Sequence, residues 1–174
     1  MNIAVFGGSF NPVHNGHIDI AKRAFRRLEL DRLVVVPAFM SPFKTADNYL
    51  ISLISPAERL TLCKLAFCDM PLVTVSDYEI KKGGVSYTID TLKYFKNFYS
   101  LKDCDKLFLI VGQDILPRID EWHKIDEIRN ICEIQPFERK LNISSTMIRE
   151  NIAKCPHALP QKVYDYIIEN KLYS

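Results

Sequence analysis

Apolar residues fall along this chain in two alternating rhythms. The uninterrupted runs Ile3-Ala4-Val5-Phe6, Leu33-Val34-Val35-Val36, Leu72-Val73-Thr74-Val75 and Leu107-Phe108-Leu109-Ile110-Val111 have the length and composition of strands, the longest suited to the middle of a parallel sheet. Between them, Ala21, Ala24, Phe25 and Leu28 recur at helical spacing before Asp31. Ser55-Pro56-Ala57-Glu58 offers a cap, a first-turn proline and a third-position acid ahead of Leu60, Leu62, Cys63 and Leu65. Residues 88 to 98 predict another helix. Beyond Trp122 a short helix through Ile125 and Ile128 precedes a weak strand at Cys132-Glu133-Ile134. Two further helices start at about Ser145 and Pro160, the last turning Val163, Tyr166 and Ile167 inward. Strand–helix alternation of this kind predicts an α/β fold. The expectation is a Rossmann-like doubly wound parallel sheet of about five strands, helices on both faces, and a small C-terminal helical portion from about residue 145.

In such sheets ligands bind outside the carboxyl ends of the strands. Three segments would converge there: Gly7-Gly8-Ser9-Phe10-Asn11-Pro12 with His14-Asn15-Gly16-His17, residues 37 to 44 after the second apolar run, and Gly112-Gln113-Asp114 after the fourth. A glycine turn leading into a helix start gathers backbone N–H groups and the positive end of a helix dipole, where an anion is favoured. If Gly16 opens the helix, His17 lies in its first turn and His14 just before it, so both imidazoles can face a bound phosphate.

Composition narrows the classes. At 174 residues, 48% apolar and 25% charged, the chain suits one domain spanning residues 1–174. A net charge of +2 gives no reason to expect a nucleic-acid or membrane partner, so useful positive charge is local, at Lys44, Arg139, Lys140 and Arg149. Five cysteines without a CxxC pair fit reduced thiols, and with no basic leader or long apolar run the expected location is the cytoplasm. His123 and His157 are isolated and no cysteine cluster exists, so no protein metal site is expected. Neither GxGxxG after the first strand nor GxxxxGK[ST] is present, which argues against a dehydrogenase and a Walker-type ATPase.

Gly7-Gly8-Ser9-Phe10-Asn11-Pro12-Val13-His14-Asn15-Gly16-His17 and Ile143-Ser144-Ser145-Thr146-Met147-Ile148-Arg149 together resemble the two motifs of the HxGH nucleotidylyltransferases. Ser86-Tyr87-Thr88-Ile89-Asp90-Thr91-Leu92, Gly112-Gln113-Asp114 and Trp122 are similar to segments of the bacterial nicotinate mononucleotide adenylyltransferases within them. The resemblance implies adenylyl transfer from ATP to nicotinate mononucleotide, giving deamido-NAD and pyrophosphate. It implies ATP contacts from Gly7, Gly8, Ser9, Phe10, His14, His17, Gly112, Asp114, Ile143, Ser144, Ser145, Thr146 and Arg149. Mononucleotide contacts would come from Asn11, Lys44, Tyr87, Thr88 and Trp122, with the indole stacked on the pyridine ring. His17 first, then His14, Lys44 and Arg149, would carry catalysis by neutralising charge. A phosphate nucleophile with a second pKa of about 6 needs no strong general base. Mg²⁺ would arrive with the ATP rather than occupy a protein cage.

The pattern departs from the family in places. Asn11 stands where an aspartate is common, Phe43 where many relatives place histidine before the lysine, and the stretch between Trp122 and Ile143 is short and lacks Arg-Pro-Gly. Arg139 is the candidate substitute for that arginine. Nicotinamide mononucleotide, a phosphopantetheine acceptor and a noncatalytic nucleotide sensor are the competing readings, and oligomeric state, a homo-oligomer included, is left open.

Overall fold

The computed structural model describes residues 1–43 and 54–173. Among these residues five strands form one sheet: β1 (Asn2–Gly8), β2 (Arg32–Pro37), β3 (Val73–Val75), β4 (Lys106–Gly112) and β5 (Glu133–Phe137). Their order is β3-β2-β1-β4-β5 and every pairing is parallel, with Val5 opposite Val34 on one side and Leu109 on the other.

Because successive side chains of a strand point to opposite faces, each strand feeds two cores. Ala4, Phe6, Leu33, Val35, Phe108 and Ile110 pack on one face with Ile20, Ala21 and Ala24 of α1 (Asn15–Leu28), Leu62 and Cys63 of α2 (Pro56–Phe67), Ile148 of α6 (Ser145–Glu150), and Val163 and Ile167 of α7 (Gln161–Glu169). Ile3, Val5, Val34, Val36, Leu107, Leu109 and Val111 pack on the other face, with Ile89, Leu92 and Phe95 of α4 (Thr88–Phe98) and Ile128 of α5 (Ile125–Ile131). Burial on both sides explains why β1, β2 and β4 read as unbroken apolar runs. Each fully buried aliphatic side chain stabilises the fold by roughly 1.5–3 kcal/mol. Tyr166, expected inward with Val163 and Ile167, is partly buried against the first core.

Local chemistry sets the ends of the elements. Ser55 caps α2 reciprocally with Glu58: the Glu58 N–H donates to Ser55 Oγ at 3.2 Å, and the Ser55 N–H to Glu58 Oε2 at 2.6 Å. The last strand runs to Phe137 rather than stopping at Ile134, and Pro136 is tolerated because β5 lies at the edge of the sheet. Four elements lie outside the expected pattern: the five-residue α3 (Tyr78–Lys82), a 3₁₀ stretch, Gln113–Glu121, which contains Pro117, and two single 3₁₀ turns, Ile152–Lys154 and Pro156–Ala158. All five cysteines are free, and burial raises the thiol pKa of Cys132 to about 12. No helix among the described residues is long and apolar enough to cross a membrane.

Candidate active site

Strand order reverses between β1 and β4, and the cavity of about 370 Å³ opens there, beyond their carboxyl ends. Gly7, Gly8, Ser9, Phe10, His14 and His17 line it from the first loop and helix, and Gly112 and Asp114 from the end of β4. Ala38 and residues 41–43 border it after β2, while Ser86, Thr88, Thr91 and Trp122 enclose another part.

The two histidines act first as helix caps. His14 is the N-cap of α1, and its Nδ1 accepts the Gly16 N–H at 3.2 Å. His17, three residues on, accepts the His14 N–H on its own Nδ1 at 3.1 Å. An imidazole nitrogen that accepts an N–H carries no proton, so in each neutral ring the proton sits on Nε2. The ring centroids lie 3.8 Å apart, giving a pair of N–H donors side by side at a helix start. Burial, helped by the nearby Arg139 cation, lowers the His14 pKa to about 4; burial, His14 and Arg139 hold His17 well below its ordinary value. Both rings are therefore uncharged at neutral pH. Gly16 is small for a reason: a Cβ there would stand 3.0 Å from Cε1 and Nδ1 of His14. Phe10, 2% exposed with a left-handed φ of 45°, lays its ring edge-on to both Phe6 and His17 and anchors the turn.

The second motif grips the first. Ser144 caps α6 by accepting the Met147 N–H, Ser145 Oγ donates to Pro12 O at 2.9 Å, and Arg149 donates to Asn11 O at 2.6 Å and to Thr146 Oγ1 at 3.1 Å. Of this motif, Ser145 lines the cavity; Ile143, Ser144, Thr146 and Arg149 are not among its lining residues. Asn11 lies beneath the loop, 5% exposed, with the Tyr173 hydroxyl donating to its Oδ1 at 2.6 Å.

Thr88 and Trp122 line the cavity, with the indole 6.2 Å from the Phe43 ring, whereas Tyr87 lies against His123, the two rings tilted with centroids 4.5 Å apart. Lys44 lies outside the described residues. Asp114, at the start of the 3₁₀ stretch, pairs with Arg139 at 3.0 Å, and Arg139 lines the cavity too. Lys140 is exposed and not among the lining residues. No group of three or more His, Cys, Asp or Glu side chains that could hold a metal exists among the described residues.

Several contributors were not singled out as site residues from the sequence. Arg59, 4% exposed, donates to Ser9 O at 2.7 Å and Phe39 O at 3.1 Å, joining the loops after β1 and β2. Glu79 and Thr91 meet in the cavity wall through a short hydrogen bond. Burial pushes the Glu79 carboxyl up, opposed by hydrogen bonds from Thr91 and Ser86. A lone acid in Asp77-Tyr78-Glu79 carries no periodic signal of burial, and Tyr173 acts across 162 positions, so neither stands out along the chain.

Comparison with known proteins identifies the family. Residues 5–151 match the cytidylyltransferase-like family model. A Clostridium acetobutylicum protein described as a probable nicotinate-nucleotide adenylyltransferase is 36% identical, with 98% of each chain covered. That alignment spans 203 positions against the 174 residues here, so the relative carries segments that this chain lacks. A Nitratiruptor protein of the same description is 38% identical, covering 80% of this chain and 75% of the relative. Among solved structures, the Plasmodium falciparum nicotinic acid mononucleotide adenylyltransferase complexed with NaAD superposes with a TM-score of 0.74 at 17% identity, covering 99% of this chain and 97% of the other. With both motifs at the mouth of one parallel sheet and relatives of 36% and 38% identity covering 98% and 80% of its length, the chain belongs to the cytidylyltransferase-like family and, within it, to the nicotinate-nucleotide adenylyltransferases.

Proposed function

We propose that this protein transfers the adenylyl group of ATP to nicotinate mononucleotide, forming deamido-NAD and releasing pyrophosphate. The mononucleotide phosphate oxygen forms a bond to the α-phosphorus as the bond from that phosphorus to the β-phosphate bridge breaks, and no proton need move in this step. The observation that carries the reading is the His14–His17 pair, two neutral rings whose Nε2–H groups are left as donors at a helix start. Donors fixed before substrate arrives stabilise charge that grows on phosphoryl oxygens without reorganising. Gly7, Gly8, Ser9 and Phe10 bring backbone to the same place, and Asp114 stands on the ribose side. Ser145 and Arg149 serve the nucleotide by holding the loop that carries the histidines, Ser144 and Thr146 support them by capping α6 and accepting from Arg149, Ile143 packs against the core behind them, and Lys44 supplies a further cation.

At the other end of the cavity Trp122 offers a ring face. α4 starts at Thr88 with no side chain capping it, so its first N–H groups can receive the carboxylate of the pyridine. Mg²⁺ enters as part of the nucleotide substrate. The protein works as a single domain in the cytoplasm, with small nucleotides rather than nucleic acid or membrane as partners. Pyrophosphate release from ATP tested with nicotinate mononucleotide, nicotinamide mononucleotide and phosphopantetheine checks the proposal. Release is expected with the first, and ATP binding without release for all three would leave a sensor in its place.

A further inference from the structure

Among the described residues Glu79 is the one buried acid, and the adenylyl transfer itself has no use for it. Its carboxylate lies in the cavity wall at 7% exposure, where an apolar side chain of similar size would fill the space without the desolvation that a charge suffers. What it does instead is hold the start of α4. Thr91, in the first turn of α4, donates its hydroxyl to Glu79, and Ser86, two residues before α4 begins, lines the same wall and helps to hold the carboxyl pKa down.

Ser86 passes the connection on. Its Oγ accepts the Phe39 N–H at 3.0 Å and its N–H donates to Met40 O at 2.8 Å, tying residues 86–91 to the segment after β2. From Phe39 the chain of hydrogen bonds runs through Arg59 to Ser9 in the first loop. A Lys82–Asp90 ion pair holds the same turn from outside.

The hydrogen-bond directions have a chemical result. With its proton turned to Glu79, Thr91 has only lone pairs left to show a ligand. The N–H groups of Asp90 and Thr91 go to Tyr87 O, and those of Thr88 and Ile89 carry no hydrogen bond among the described residues. Donors at this end of the cavity are thus the backbone amides at the start of α4, with the Thr88 hydroxyl and the Trp122 indole N–H beside them.

We infer that Glu79 is a positioning residue for the acidic mononucleotide: by holding Thr91 it fixes the start of α4 that receives the pyridine carboxylate. The inference rests on the acceptor proposed above. Trp122, the sole tryptophan, lines the same cavity and reports binding by its fluorescence. Wild type, Glu79→Leu, Glu79→Gln and Thr91→Val are titrated with nicotinate mononucleotide and separately with ATP, and the KM of each substrate is measured alongside. Glu79→Leu should weaken mononucleotide binding about tenfold or more with ATP affinity within about twofold, and Thr91→Val by about threefold. Glu79→Gln, which still accepts from Thr91, should restore most of the loss. Thr91→Val serves alone if Glu79→Leu does not fold. Unchanged mononucleotide affinity in Thr91→Val and Glu79→Leu, or equal losses for both substrates, overturns the positioning role. Wild type that neither binds nor adenylylates nicotinate mononucleotide overturns the acceptor itself, and the role of Glu79 falls with it.

Discussion

The Nδ1 atom of His17 accepts the backbone N–H of His14 at 3.1 Å, so the helix start that a phosphate would approach is capped by the very rings that would bind it. Each imidazole has one nitrogen committed to backbone and one left for the cavity. Replacing His17 with alanine removes a donor aimed at developing charge. Turnover should fall by about 10²–10³ while the far-ultraviolet circular dichroism spectrum is kept. Near-normal kcat in His17→Ala would end the case for the pair.

Stability should depend on pH through His14. Its folded pKa of about 4 lies below the unfolded value of about 6.5, so between these the unfolded chain binds the proton and the folded one does not. The stabilisation is complete above the unfolded pKa and is lost as pH falls from there toward 4, amounting to about 3 kcal/mol for this ring. His17, depressed in the same direction, adds to the loss. Urea midpoints measured at several pH values through this window should decline steadily on acidification. His14→Asn, which can still cap the helix, should flatten that slope.

Gly16→Ala sets two effects against each other. Helix propensity alone favours alanine by up to about 1 kcal/mol, and the first-turn position makes the gain smaller. Against it, the new Cβ would meet the His14 ring at 3.0 Å, and that ring cannot retreat without giving up its bond to the Gly16 N–H. Catalysis should therefore drop about tenfold while the melting temperature moves by only a few degrees. Steady-state kinetics alongside thermal melting decides it; unchanged kcat would mean that the ring position does not matter.

Arg139 is held by Asp114 and lowers the pKa of both histidines through its charge. Arg139→Gln should raise the KM for ATP by about fivefold to tenfold, since a cation facing a polyanion is lost. It should also make the acid loss of stability smaller, because the folded histidines regain part of their basicity and the gap to their unfolded pKa narrows. Failure of both changes would assign the Arg139–Asp114 pair to the surface alone.

The doubly wound sheet was legible because β1, β2 and β4 are buried on both faces, and burial on both faces leaves a contiguous apolar mark. The edge strand was read short, since Gln135 and Pro136 look like a strand end until their place at the sheet margin is known. α3 is too short for a periodic signal, and the proline in the 3₁₀ stretch masks its helical character. At the site, spacing along the chain located His14 and His17, and the family resemblance pointed to Ser145. Glu79, Arg59 and Tyr173 act through partners distant in sequence, and only the folded chain brings those partners to them.

Ser145, Arg149 and Tyr173 clasp Pro12 and Asn11 across separations of 133, 138 and 162 residues. During synthesis the nucleotide-handling loop therefore leaves the ribosome long before anything arrives to hold its carbonyls. A tethered nascent fragment that has completed its strands would still be idle, and competence would come abruptly, once the closing helices and their final tyrosine have emerged and docked.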